Sequence, residues 1–179
     1  VRASVPITAT VGGITDGVSA PSAVEFYDGE KKIGSGTAGA GDTWTITWDT
    51  RGLTNGAHDL KAKAIRGPAS FSADPVTVTV DNAPPSVSLT APAAASFVRG
   101  SVTVTATASD NVGVVGVQFT LDEKSLGSED TSSPYGISWD TTGVSNGSHT
   151  LTAVARDAAG NVTTASSVTL TVDNAPPSV

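Results

Sequence analysis

The chain has 179 residues, 10 Lys and Arg against 17 Asp and Glu, a formal net charge of −7, and no cysteine or methionine. This acidic balance argues against a nucleic-acid partner, because phosphate contacts depend on clustered Lys and Arg, and the lack of Cys rules out disulfides and thiolate chemistry. The sequence contains no run of about 18 apolar residues, so it predicts no membrane-spanning helix. The absence of Met and of a signal segment indicates a mature or excised fragment.

The first copy of an internal repeat opens the chain. Val1–Val5 aligns with Val98–Val102, and nothing in this first copy corresponds to residues 86–97. The strand expected at 5–11 therefore has a potential open edge. Pro6 lies in that strand, and proline is tolerated mainly at sheet edges because it cannot donate a ladder hydrogen bond.

The repeat itself sets the domain organisation. The eight residues Val80–Val87 return unchanged as Val172–Val179, a spacing of 172 − 80 = 92 residues, and the block Trp48–His58 returns in modified form as Trp139–His149. A fixed period of this length indicates two copies of one small domain. We expect a first domain at 1–82, a Pro-rich linker at 83–85, a second domain at 86–174, and the start of a next linker or strand at 175–179.

Strands of the second copy are predicted by the alternation of apolar residues with Thr, Ser and Gly, since a period of two places alternate side chains on opposite faces. No stretch carries a helical period, and turn residues recur at the spacing of an antiparallel sandwich. The expected strands are 86–90, 102–108, 115–121, 124–127, 135–139, 151–155 and 168–172. The fold class is therefore all-β, with two tandem antiparallel β-sandwiches of about seven strands each, the first lacking its leading strand.

Five segments of the second copy form a recognisable set, namely Asp110–Val114, Val117–Phe119, Pro134-Tyr135, Trp139–His149 and Asp157–Asn161. Together they resemble bacterial Ig-like domains, which recur in tandem in secreted and cell-surface proteins. The resemblance implies Ig-like sandwiches and an extracellular or cell-surface location. The first copy departs from it at the longer loop Gly12–Ala23 and at Gly67–Ser70.

Aromatic residues admit two interpretations, core packing or a sugar-stacking platform. Trp44, Ile46 and Trp48 share one face of their strand, with Thr residues on the other, so parity places these aromatics with the apolar side. Tyr135 and Trp139 are their counterparts in the second copy. Only Tyr27 has the opposite parity to its apolar neighbours and is expected at the surface. We therefore predict core packing, and carbohydrate binding lacks support.

The two histidines, His58 and His149, occupy the same position in both copies. This equivalence favours a structural role. No nucleophile elbow and no His-rich metal spacing accompanies either residue, so the chain lacks the components of a catalytic site. We expect no enzymatic activity.

Acidic loops give one specific hypothesis, an interdomain calcium site. In a sandwich of this topology the loop after the second strand and the loop between the last two strands lie at the end where the chain enters. Calcium requires oxygen ligands. The candidates are Asp81 where the chain enters, Asp110 and Asn111 in the first of these loops, and Asp157 and Asn161 in the second. The alternative is that Asp110-Asn111 closes an Asx turn and that 157–161 forms a hairpin turn, neither of which needs a metal.

The open edge of the first copy also has two explanations. Either the chain is one segment cut from a longer array of such repeats, or the C-terminal tail of another copy adds the missing strand and builds a head-to-tail filament. Ala83-Pro84-Pro85 favours extended geometry and hence a short, semi-rigid connection.

These observations predict a non-catalytic structural module of an extracellular bacterial protein, acting as a stalk, a spacer or the repeating unit of a surface fibre. Its expected partners are neighbouring Ig-like modules of the same array. The alternative is a carbohydrate- or protein-binding accessory or adhesion module attached to a secreted enzyme or adhesin.

Overall fold

The computed structural model describes residues 1–12 and 20–177. The chain divides into two compact units, Val1–Asn82 and Ala83–Val179. Apart from one 3₁₀ turn at Thr141–Gly143, every regular element in the described ranges is a β-strand. No helix among these residues has the length and apolar character needed to cross a membrane.

The first unit has two sheets. One has the strand order β1-β5-β4, and the other has the order β3-β2-β6-β7, with β8 also paired to β6. The strands are β1 (Ser4–Thr10), β2 (Ala23–Asp28), β3 (Lys31–Ser35), β4 (Thr37–Ala38), β5 (Thr43–Asp49), β6 (Gly56–Arg66), β7 (Ala69–Ser72) and β8 (Val76–Val80). Most of the Gly12–Ala23 loop, residues 13–19, lies outside the described ranges.

The second unit repeats this plan with an additional leading strand. Its sheets have the orders β14-β11-β9 and β10-β17-β15-β12-β13, with β16 also paired to β15. The strands are β9 (Ser86–Ala91), β10 (Phe97–Val98), β11 (Ser101–Ser109), β12 (Val114–Leu121), β13 (Lys124–Ser125), β14 (Tyr135–Asp140), β15 (Gly147–Asp157), β16 (Val162–Thr164) and β17 (Val168–Val172).

Each predicted strand of the second unit is present, and the all-β sandwich is confirmed. Alternation explains the packing: Val104 and Ala106 from one sheet, and Phe119 and Leu151 from the other, share a single buried cluster. Two short strands, β10 and β16, were not predicted, because two or three residues are too few to show a period. β10 also pairs with β17 in parallel, whereas the other pairs of named strands in the described ranges are antiparallel.

Pairing registers make the two units equivalent residue by residue. In the first unit Val5 lies opposite Trp48 and Ile7 opposite Ile46. In the second unit Val102 lies opposite Trp139 and Val104 opposite Ile137. The same holds for the last strands, where His58 faces Val78 and His149 faces Leu170. The residues of these strands in the first unit can therefore be compared with their counterparts in the second.

Candidate functional site

Asp110 closes the loop that follows β11. Its Oδ1 accepts hydrogen bonds from the backbone amides of Val112 and Gly113, both at 2.9 Å. Gly113 has a φ of +148°, a conformation that L side chains rarely adopt. The Asx-turn interpretation of this segment is confirmed.

Asp157 forms the second acidic turn, at the end of β15. Its Oδ1 accepts a hydrogen bond from the Asn161 amide at 2.8 Å, and its Oδ2 accepts one from Asn161 Nδ2 at 2.6 Å. The Asp157 amide donates in turn to the Asn161 carbonyl at 3.1 Å. Both residues are buried. The hairpin-turn interpretation is therefore also confirmed, and Asp157 and Asn161 form one tightly bonded pair.

The two turns bring two carboxylates together, as the sequence predicts. One carboxylate oxygen of Asp110 lies within 4.8 Å of one of Asp157. Asp110 Oδ2 is buried and has no hydrogen-bond partner among the described residues. Within those residues neither carboxylate forms an ion pair with Lys, Arg or His. A buried, incompletely bonded carboxylate next to a second one is unfavourable, and a hard divalent cation would offset that cost. The residues present therefore fit calcium.

Two other predicted ligands lie beside this pair within the second unit. Asn111 is exposed and directly follows Asp110, and the Asn161 amide nitrogen is bound to Asp157. Asp81 belongs to the first unit, where it follows β8 and is 2% exposed. Its convergence with the carboxylates of the second unit stays a prediction.

The histidines take part in a repeated cross-link between a turn and a strand. His149 Nδ1 lies 2.6 Å from Asp122 Oδ2, and its Nε2 lies 2.8 Å from the Ser145 carbonyl oxygen. In the first unit His58 makes the same contacts, at 2.7 Å to Asp28 and at 2.9 Å to the Thr54 carbonyl. Each ring therefore has an acceptor next to both of its nitrogens, a carboxylate at Nδ1 and a backbone carbonyl at Nε2, and this arrangement favours the protonated imidazole.

The electrostatics agree with this geometry. The Asp122 carboxylate and the Ser145 carbonyl raise the pKa of His149 against the opposing effect of burial. The Thr54 carbonyl, together with Asp28, raises the pKa of His58. The Thr150 amide and then His149 lower the pKa of Asp122. In each unit the histidine thus ties a turn to a strand as a structural cross-link.

An asparagine clasp closes the end of each unit, and sequence reasoning missed it. In the second unit the side-chain Nδ2 of Asn174 donates to the Thr141 carbonyl at 2.9 Å. The backbone amide of Asn174 donates to Asn146 Oδ1, also at 2.9 Å. Thr141 is fully buried, and its hydroxyl donates to Asn174 Oδ1 at 3.0 Å. The last residues of the unit are thereby tied to the segment that follows β14.

The first unit carries the same clasp. The side-chain Nδ2 of Asn82 donates to the Thr50 carbonyl at 2.9 Å, and the backbone amide of Asn82 donates to Asn55 Oδ1, also at 2.9 Å. The available signal was the joint repetition of Asn55-Gly56 and Asp81-Asn82 at equivalent positions.

Trp48, Trp139 and Tyr135 pack in the core as parity predicts, whereas Trp44, which has the same parity, is only half-buried. Trp48 and Trp139 are 4% and 3% exposed, and Tyr135 is buried with them. Tyr27 is half-buried, and its hydroxyl donates to Glu25 Oε2 at 2.6 Å. The hydrogen bond to Glu25 raises the pKa of Tyr27. These four aromatic side chains are therefore not arranged as a sugar-stacking platform.

Comparison with known proteins supports the same architecture. A family model described as bacterial Ig domain matches residues 1–62 and 85–153, and one for bacterial Ig-like domain (group 3) matches residues 133–179. No curated protein sequence matches the chain. Among solved structures, the fibronectin(III)-like modules of Clostridium thermocellum CbhA are 29% identical, with a TM-score of 0.57 over 95% of this chain and 84% of that one.

More distant structural matches include dimeric latent PorU from Porphyromonas gingivalis. It is 18% identical, with a TM-score of 0.40 over 96% of this chain and 18% of that one. SGBP-B from Bacteroides ovatus, solved with a mixed-linkage heptasaccharide, is 16% identical, with a TM-score of 0.32 over 97% of this chain and 42% of that one.

Proposed function

The chain belongs to the bacterial Ig domain family, and we propose that it is a non-catalytic structural module of an extracellular or cell-surface bacterial protein. In this role it acts as a spacer or as the repeating unit of a stalk or fibre. Its partners are the neighbouring Ig-like modules of the same array. A module of this kind holds its shape while the chain that passes through it is pulled.

The repeated clasp is the observation that carries this proposal. Both units hold their last residues by the same pair of asparagine hydrogen bonds, through Asn82 and through Asn174. The two bonds match in length between units, at 2.9 Å each. Such a contact lies where the chain leaves the unit, so it resists peeling of the last strand. Its repetition indicates a requirement of the module itself.

Strand geometry supports the same role. In the second unit β10 pairs in parallel with β17, and the Asp173 amide donates to the Val98 carbonyl at 3.0 Å. In the first unit the Asp81 amide donates to the Val1 carbonyl at 3.0 Å. A pull on the two ends of a unit loads these parallel contacts in shear, so the bonds are stretched together. A hairpin, by contrast, opens one bond at a time.

Single-molecule pulling tests the proposal. With handles at both ends of the chain, we expect two discrete extension steps. At about 3.5 Å per residue the extended lengths are about 290 Å for Val1–Asn82 and about 340 Å for Ala83–Val179, and each step is shorter by the end-to-end distance of the folded unit. Asn174→Ala lowers the force of one step and Asn82→Ala that of the other. Ser128→Ala, at an exposed position of the second unit, serves as the control and changes neither. Extension without discrete steps, or unfolding forces that are the same in both asparagine variants as in the unmodified chain, would contradict the proposal.

We further propose that the second unit binds calcium through Asp110 and Asp157, with the neighbouring Asn111 and Asn161 as candidate amide ligands. The support is the 4.8 Å approach of the two carboxylates and the buried, unbonded Oδ2 of Asp110. A bound cation would supply charge compensation and would hold the two acidic turns together. It has no part in any reaction.

A further inference from the structure

Each unit carries an Asn-Gly pair where its longest strand begins. In the second unit Asn146 directly precedes β15, which begins at Gly147, and in the first unit Asn55 directly precedes β6, which begins at Gly56. Both asparagines are exposed. The other asparagines of the chain are followed by Ala or Val, so these two alone combine an exposed side chain with a neighbouring glycine.

The backbone beside each of these asparagines is sterically open. Gly147 and Gly56 have φ values of +130° and +128°, a conformation that L side chains rarely adopt. A Cβ atom placed on either glycine would meet no heavy atom of the described residues within 4 Å, its chain neighbours apart. The junction between asparagine and glycine therefore has room to react at the surface of the unit.

Such a junction can react with itself. The backbone nitrogen of the glycine attacks the side-chain carbonyl carbon of the asparagine, and its proton passes through solvent to the side-chain amide, which departs as ammonia. A succinimide ring results, and water opens it at either carbonyl to give aspartate or isoaspartate. The attack is intramolecular, so its rate depends on how closely the two groups approach. Glycine favours it because no side chain hinders the nitrogen.

The asparagine clasp places a hydrogen-bond donor on the same side-chain carbonyl. The backbone amide of Asn174 donates to Asn146 Oδ1 at 2.9 Å, and the backbone amide of Asn82 donates to Asn55 Oδ1 at 2.9 Å. Negative charge develops on this oxygen when the carbonyl carbon is attacked, and a fixed N–H donor stabilises that charge. The contact that closes each unit therefore also favours the attack.

We propose that Asn146 and Asn55 are sites of hydrolytic deamidation in the folded units, and that the reaction changes the clasp. Aspartate at position 146 keeps an acceptor for the Asn174 amide, and a charged acceptor forms the stronger hydrogen bond. Isoaspartate inserts a methylene group into the main chain before Gly147 and moves the acceptor away. Each unit thus converts with time into one form with the clasp intact and one form with the clasp weakened.

The test incubates the folded chain at neutral pH and follows each asparagine by peptide mapping with mass spectrometry. We expect Asn146 and Asn55 to lose their amides at least about 10-fold faster than Asn111, which is also exposed but precedes the β-branched Val112. Asn146→Gln would have to close a larger ring, so it is expected to stop the reaction at this position and to leave Asn55 unaffected. This readout needs no pulling, so the modification goes beyond the spacer role and is tested independently of it.

Loss of the amide at Asn146 that is no faster than at Asn111 in the folded chain, or that occurs only after unfolding in urea, overturns the proposal. The effect on the clasp has its own measurement. Chain with isoaspartate at position 146, separated by chromatography, is expected to have a lower unfolding free energy than the Asn146→Asp variant, which retains the acceptor. Equal stability of these two forms overturns the effect on the clasp.

Discussion

His149 Nδ1 lies 2.6 Å from Asp122 Oδ2, across a turn and a strand separated by 27 positions in the sequence. This contact and its copy in the first unit make stability depend on pH. The pKa of His149 is raised above its ordinary value of 6.5. The stabilisation is therefore complete below about pH 6.5 and is lost as the pH rises through the folded-state pKa.

On the acidic side the pKa of Asp122 is lowered from its ordinary value of 3.8, so the same contact is lost only as the pH falls below that value. We predict greatest stability between about pH 4 and 6.5 from this pair. Urea unfolding followed by residue-resolved NMR at pH 5, 7 and 9 measures it. Asp122→Asn is expected to lower the pKa of His149 and flatten the alkaline side, whereas an unchanged histidine titration would refute the assignment.

The clasp predicts a matched loss in both units. Asn174→Ala removes hydrogen bonds to Thr141 and leaves a buried carbonyl without its amide partner, so we expect a loss of about 2 to 3 kcal/mol in the unfolding free energy. Asn82→Ala removes the equivalent hydrogen bond from the side-chain amide to the Thr50 carbonyl and should cost a similar amount in the first unit. Denaturant titration of the two variants provides the comparison. Losses within about 0.5 kcal/mol of zero would show that the clasp is incidental.

Equivalent leucines should differ in their cost of truncation. Leu151 is fully buried, so Leu151→Ala is expected to cost about 3 to 5 kcal/mol. Leu60 is only half-buried, so Leu60→Ala should cost about 1 to 2 kcal/mol. Chemical denaturation of each variant measures both losses. Equal costs would show that the first unit buries its core as fully as the second.

Calcium binding has a thermal readout. At a free calcium concentration 100 times Kd, binding adds about 2.7 kcal/mol to the unfolding free energy of the unit that binds it, and Tm rises accordingly relative to chelator. Asp110→Asn keeps an oxygen for the Asx turn but removes the charge, and it should abolish this rise. The control is Asp140→Asn, at an exposed Asp with a similar turn contact to Thr142 at 2.9 Å. Identical Tm values with calcium and with chelator contradict the site.

Residue patterns predicted the architecture because it rests on local periods. Strand parity placed Trp48 and Trp139 in the core. The convergence of Asp110 and Asp157 followed from the order of the strands. These features depend on which face or which end of a strand a residue occupies, and alternation determines both.

The cross-links and clasps were not predictable in the same way. Asp122 reaches His149 because the turn after β12 holds Asp122 at a φ of +48°, and alternation carries no information about such a turn. Asn174 reaches Thr141 across 33 positions, through loops whose course depends on the packed sandwich. Both contacts repeat between units, so comparing the copies pair by pair could have revealed them.

Amide hydrogen exchange on the chain tests the central claim most directly: that the units are copies of one module, with β11 paired to β14 and β9 in one and, among the described residues, β1 paired to β5 alone in the other. Exchange in β11 should be slow over Thr105–Ser109, the part of the strand that pairs with β9. In β1 the amides that face away from β5 should exchange much faster than their β11 counterparts. Equal protection of the two strands would contradict the account.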